Sequence, residues 1–258
     1  MAAAVITGAS TGIGRDLARI CAREGYDPVL IARSQPQLEA VASEIRQNTK
    51  RNVIVLPKDL SDPAAPREVF DELTRAGIEV AVLINNAGFG LLGRFWEVDA
   101  RQQMEMIQLN ISALTELSRL FLPGFIERRR GRILNVASTA AFQPGPLMSV
   151  YYASKAYVVS FSEAIYNEAR DYGVTVTCLC PGPTRTEFQT RAGASSTKLF
   201  SSGRAMSSAA VAQIGFEAMK AGKPLVTAGR VNALMAFLTR FASRQLTASM
   251  ARRFQETK

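Results

Sequence analysis

The stretch Val5-Ile6-Thr7-Gly8-Ala9-Ser10-Thr11-Gly12-Ile13-Gly14 decides the fold, because it sets three glycines where a short apolar strand gives way to an apolar-periodic helix. A turn that brings backbone against a phosphate needs residues without Cβ atoms. The next helix then offers the anion its unpaired N–H groups and the positive end of its dipole. The spacing is Gly-x-x-x-Gly-x-Gly, not Gly-x-Gly-x-x-Gly, and on its own such a turn is equally a tight strand-to-helix connection. Working outward, apolar runs near 3–6, 28–32, 53–57, 80–84, 133–137, 174–180 and 224–227 alternate with helix-length segments. This alternation predicts an α/β fold: a doubly wound, mainly parallel sheet of about seven strands with helices on both faces. Ligands in such sheets bind beyond the strand C-terminal ends, near the point where strand order reverses.

Most chemistry-bearing motifs fall at those ends. Leu83-Ile84-Asn85-Asn86-Ala87-Gly88 closes one strand and Arg132-Ile133-Leu134-Asn135-Val136-Ala137-Ser138 another. Tyr151 and Lys155 stand i, i+4 on a following helix and share one face. An ammonium within a few ångströms of a phenol favours the phenolate, bringing its proton within reach of neutral-pH chemistry. With Asn110 in Leu109-Asn110-Ile111 and Pro181-Gly182, these motifs resemble the short-chain dehydrogenase/reductase family in order and spacing over residues 3 to about 190. The resemblance implies a Rossmann-type sheet and an oxidoreductase that moves hydride between a nicotinamide and a carbonyl or secondary alcohol.

It also implies roles. Tyr151 is the general acid/base, preferred over Tyr152 because only it stands four residues before Lys155. Lys155 lowers the phenol pKa and holds the nicotinamide ribose. Ser138 donates to the substrate oxygen, and Asn110 holds a water that links Lys155 to solvent. Gly8, Ser10, Thr11, Gly12, Ile13 and Gly14 cradle the phosphates. Asp59 and Leu60 contact adenine, while Asn86, Ala87, Gly88, Pro181, Gly182, Thr184 and Thr186 complete the cofactor site together with Tyr151 and Lys155. Asp59 is also a helix-cap candidate, although Asp62 before Pro63 fits that task better. The position about 20 residues past the glycine turn, where NAD-preferring folds keep an acid, is Ala32; Arg33 and Ser34 follow and suit a 2′-phosphate, so NADP(H) is expected. One departure is Thr11, where many NADP-dependent relatives carry a base; Arg15 is the candidate substitute, or is simply solvated.

Bulk properties narrow the classes. At 258 residues, 47% hydrophobic and 21% charged, the chain reads as one globular domain, 1–258, with a sizeable core. The absence of histidine removes Ser-His-Asp and Cys-His catalysis and argues against a metal site. Cys21, Cys178 and Cys180 lack Cys-x-x-Cys spacing and read as small core residues of a reducing compartment. The N-terminus runs straight into the glycine turn as a first strand, and no apolar run approaches a membrane span. A cytoplasmic, homo-oligomeric protein is expected, with no nucleic-acid groove.

Residues 184–206, rich in Ser, Thr, Gly and Arg after a Pro-Gly-Pro breaker, read as a substrate lid. Phe89, Phe95, Trp96, Phe142, Met148, Phe188 and Phe200 are candidate pocket residues and favour a hydrophobic carbonyl compound. The tail, 229–258, carries six of the basic residues against Glu256 alone. Within it Leu234, Phe237, Leu238 and Phe241 form an apolar helical stripe flanked by Arg240 and Arg244. The stripe is expected either to pack on the body or a second subunit, or to rest on an anionic membrane surface.

Overall fold

The computed structural model describes residues 2–193, 197 and 205–256. Seven parallel strands form one sheet: β1 (Ala3–Thr7), β2 (Asp27–Ala32), β3 (Ile54–Pro57), β4 (Val80–Asn85), β5 (Gly131–Val136), β6 (Val174–Cys180) and, after a two-stranded excursion, β9 (Leu225–Thr227). Their spatial order is β3-β2-β1-β4-β5-β6-β9, as the β-α alternation predicts for a doubly wound Rossmann-type sheet. β1 and β4 are buried along their whole length. A strand covered on both faces has no polar side to present, which is why these segments read as unbroken apolar runs.

The covering helices explain the two core layers. On one face α1 (Gly12–Arg23), α2 (Gln35–Asn48) and α8 (Ser208–Lys220) bring Leu17, Leu38, Val41, Val211 and Phe216 against the sheet. On the other, α3 (Ala65–Arg75), α5 (Leu114–Glu127) and α6 (Ser149–Ala169) bring Val69, Leu73, Leu117, Phe121, Phe125 and Ile165. Cys21, Cys178 and Cys180 are buried and free of disulfides.

A chain of side-chain hydrogen bonds also crosses the second layer. Asn85 Nδ2 donates to Ser118 Oγ at 3.1 Å and to Asn135 Oδ1 at 2.9 Å, and Asn135 Nδ2 donates to Ser162 Oγ at 2.9 Å. All four residues are buried. Because buried amides and hydroxyls must be paired, this chain fixes α5 and α6 against the ends of β4 and β5.

Two local expectations are corrected, and the 184–206 segment is described in part. Neither Asp59 nor Asp62 caps α3: its N-cap is Ala64, with Pro66 in the first turn. Asp59 accepts instead from Ser61 N and Oγ at 3.0 and 2.7 Å, and Asp62 accepts from Ala64 N at 2.9 Å, so both shape the preceding turns. The two ends of the 184–206 segment pair, β7 (Thr184–Arg185) with β8 (Met206–Ser207), and α7 (Phe188–Arg191) follows β7. Residues 194–196 and 198–204 of that segment, Phe200 included, lie outside the described residues.

The second correction is that the tail does not lay its stripe on the body. In α9 (Arg230–Leu238), Asn232 and Ala236 are the partly buried residues, and Thr239 continues that face one turn on. Leu234, Phe237, Leu238 and Phe241 point away and are 57%, 51%, 47% and 75% exposed. The last helix, α10 (Arg244–Gln255), turns back and buries Thr247, Ala251 and Gln255. No helix among the described residues is long and apolar enough to cross a membrane.

Candidate active site

Strand order reverses between β1 and β4, and the loops beyond their ends are tied together there. Thr7 Oγ1 accepts from the backbone N–H groups of Asn86 and Ala87, both at 2.9 Å, while Asn86 Nδ2 donates to Thr7 O at 2.9 Å and Gly8 O at 3.2 Å. A Cβ on Gly14 would overlap the carbonyl oxygen of Gly8 and the amide of Asn86. Those atoms are held by the strand ends and cannot withdraw, so this position requires glycine. The turn and the α1 N-terminus behind it thus form a cradle that takes an anion.

A cavity of about 580 Å³ opens over this cradle. It runs from Arg33, Ser34, Asp59 and Leu60, past Gly8, Ser10, Thr11, Gly12 and Ile13, to Asn86, Ala87 and Gly88. Beyond them it reaches Ser138, Tyr151, Lys155, Pro181, Gly182, Thr184 and Thr186. Gly14 and Asn110 stand behind the wall. Arg33 is exposed at the rim and makes no hydrogen bond or ion pair with a described residue, so its guanidinium is available to a ligand. Arg15 does not take the place of a base in the turn: its Nε lies 3.8 Å from Asp16, outside the cavity lining. Lys58, which the motifs did not single out, does line the cavity, although it also pairs with Glu68 at 2.7 Å.

The residues around Tyr151 are positioned by backbone. Ser138 caps a short turn, its Oγ accepting from Ala140 N at 3.1 Å and donating to Pro181 O at 3.4 Å. Asn110 sits in a π-helical stretch, Gln108–Ala113, that widens the join between α4 (Ala100–Ile107) and α5. Its side chain is fully used: Nδ2 donates to Phe89 O at 3.0 Å and Ser154 Oγ at 3.1 Å, and Oδ1 accepts from Phe89 N at 3.1 Å. It clamps the loop after β4 to α6. Lys155 is 5% exposed, and its Nζ donates to Val136 O at 2.9 Å.

The titration behaviour departs from expectation. Burial pushes the Tyr151 phenol up to about 12, and the nearby Ser138 hydroxyl offsets only part of this. The depression expected from Lys155 is not seen, for Nζ is directed to Val136 O and lies 5.8 Å from the Tyr151 ring centroid. Lys155 itself is lowered to about 8 by burial.

Of the candidate pocket residues, Phe89, Met148 and Phe188 line the cavity. Phe95 and Trp96 are 61% and 77% exposed, away from it, and Phe142 packs beside Val158 and Cys178. In their place the tail supplies Met235, Met250, Phe254 and Gln255, and α6 adds Tyr152. Only tertiary contact reveals these, since none belongs to a recurring motif.

The depressed lysine has a measurable consequence. The unfolded chain holds that proton to the ordinary value of 10.5 and the folded chain releases it near 8. Between these values the unfolded state binds more protons, so stability rises with pH. Relative to Lys155→Met, the wild type should gain on the order of 3 kcal/mol of unfolding free energy in total across that range. Urea denaturation of both proteins at stepped pH measures this, and a difference that does not change with pH contradicts a buried lysine.

Comparison with known proteins agrees with the geometry. The model of the short chain dehydrogenase family matches residues 2–196. The human very-long-chain 3-oxoacyl-CoA reductase is 34% identical over 184 residues, and human 17-beta-hydroxysteroid dehydrogenase type 3 is 36% identical over 180. Each alignment covers 69% of this chain, and the chain spans 58% and 57% of the length of these two relatives. A short-chain dehydrogenase from Sphingobium yanoikuyae, solved in complex with NADPH, superposes with a TM-score of 0.82 at 32% identity, covering 93% of this chain and 95% of the other. The chain belongs to the short-chain dehydrogenase family.

Proposed function

We propose that this protein is an NADP(H)-dependent oxidoreductase that interconverts a hydrophobic carbonyl compound and its secondary alcohol. The observation that carries the reading is a single cavity holding the glycine cradle and Arg33 at one end and Ser138, Tyr151 and Lys155 at the other. The NADPH in the structure of the Sphingobium relative, and the 3-oxoacyl-CoA reductase and hydroxysteroid dehydrogenase named above, support it.

When bound, the dinucleotide supplies or accepts the hydride. The glycine turn and the α1 N-terminus would hold its phosphates, Arg33 and Ser34 the 2′-phosphate, Asp59 and Leu60 the adenine, and Lys155, Thr184 and Thr186 the nicotinamide end. Ser138 orients the substrate carbonyl by donating to its oxygen. Tyr151 gives that oxygen its proton, and a phenol held near 12 stays protonated and ready to donate at neutral pH. Lys155, charged below about 8 and with its Nζ directed to Val136 O, would hold the nicotinamide ribose beside Tyr151. Asn110 keeps α6 in register with the loop after β4. Met148, Phe188, Met250 and Phe254 exclude water and favour an apolar substrate body.

Tyr151→Phe keeps the ring packing and removes the proton, so turnover should fall by roughly 100-fold or more while NADPH affinity changes little. Fluorescence titration alongside steady-state rates checks this, and retention of most activity contradicts the assignment. Arg33→Ala should weaken NADPH binding by about 1.5–3 kcal/mol and leave NADH binding nearly unchanged. Equal losses for the two cofactors reject the 2′-phosphate contact.

The tail adds a second element, peripheral contact with an anionic membrane surface. The outward apolar stripe, ending in Phe241 at 75% exposure, and the flanking Arg240 and Arg244 support it, since such surfaces combine apolar burial with charge attraction. The protein should float with vesicles containing phosphatidylserine at low salt, and less so at high salt. No flotation at low salt overturns the contact, and a dimer that hides the stripe assigns it to self-association.

A further inference from the structure

Among the residues that line the cavity is a buried polar pair, Tyr152 and Gln255, that no step above uses. Gln255, the last residue of α10, is 2% exposed and reaches across 103 positions to donate from Nε2 to the Tyr152 hydroxyl at 2.8 Å. Its Oε1 is buried and makes no hydrogen bond to any described residue. Both residues line the cavity, as do Met148, Phe188, Met250 and Phe254. The Tyr151 and Tyr152 rings meet edge-on with centroids 6.1 Å apart, so Tyr152 belongs to the same stretch of α6 as the phenol assigned to proton transfer.

An unpaired acceptor in apolar surroundings is costly, and a helix that only needed to dock on α6 could do so with Leu or Met. With the amide oriented as observed, Oε1 is free to accept and the Tyr152 O–H is free to donate. If the amide turns over, Tyr152 donates to Oε1 and Nε2 is the free donor. A hydroxyl, which donates and accepts, completes the pair in either orientation. A second carbonyl would leave Oε1 without a partner in the first orientation.

We infer that Tyr152 and Gln255 form a specificity subsite, and that the substrate is a hydrophobic ketone or alcohol carrying a further hydroxyl. This rests on the oxidoreductase reading above and narrows its substrate class. The subsite selects among apolar ketones through a hydrogen bond that the unhydroxylated analogue cannot make. Sites built this way discriminate more strongly than apolar pockets do.

The test uses the full chain, NADPH and a set of decalones that carry a ring hydroxyl at successive positions, with unsubstituted decalone as reference. For wild type, kcat/KM for at least one hydroxydecalone should exceed the reference by about tenfold or more, the scale of one buried hydrogen bond. In Gln255→Met, which conserves length and volume, that ratio should fall to near one. Tyr152→Phe gives a second route to the same readout if the first variant does not fold. Because the ratio cancels any loss common to both ketones, a merely structural role for Gln255 would leave it unchanged. An unchanged ratio, or no wild-type preference at any hydroxyl position, overturns the subsite while decalone turnover leaves the oxidoreductase reading standing. NADPH consumption with none of the ketones counts against that reading as well as the subsite.

Discussion

The site depends on one buried cation. Lys155 lies between α6 and the end of β5, and its Nζ donates to the Val136 carbonyl at 2.9 Å. An ammonium removed from water is tolerated only where it is hydrogen-bonded, and even so its proton affinity drops, here to about 8. The strand end, the helix carrying Tyr151 and the loop at Gly88 must therefore stay in register, or the charge is left bare. The Asn110 clamp and the amide chain through Asn85, Asn135 and Ser162 serve that same register from two sides. The buried polar groups of this layer are the means by which a generic parallel sheet holds one particular constellation.

The glycine turn solves a related problem at the other end of the cavity. An anion must approach backbone closely while the turn keeps its shape. The structure does this by closing Thr7, Gly8 and Asn86 into a network of short hydrogen bonds, with the Gly14 position packed against it. Asn86 thus spends its side chain on the protein itself. Arg33, exposed and unpaired among the described residues, is left as the adjustable element that can distinguish one dinucleotide from another.

Much of this was legible from sequence where the requirement is local. A strand buried on both faces must be an apolar run, and a close backbone approach must be glycine; hence the seven strands, their parallel order and the motifs at their ends could be read from residues such as Val5, Gly14 and Asn86. Where position depends on packing, reading failed. The π-helical widening at Asn110 answers to a contact with Phe89 and Ser154, 21 and 44 positions away. Phe95 and Trp96 look like pocket residues by composition, yet loop geometry turns them to solvent. Met250, Phe254 and Gln255 line the cavity only because α10 folds back over it, and the direction of the tail's apolar stripe is set by which side of α9 meets the body. The Tyr151 phenol rises because burial outweighs a charge aimed elsewhere, a balance that i, i+4 spacing cannot express.

The central claim is that one cavity joins a nicotinamide site to a proton-transfer site. It is tested most directly by following the absorbance of NADPH while the full chain is incubated with a panel of hydrophobic ketones and the products are quantified. The account predicts NADPH loss for at least one ketone, matched one-for-one by the corresponding secondary alcohol. Saturable NADPH binding with no alcohol formed from any member of the panel would contradict it and describe a binding protein built on the same fold.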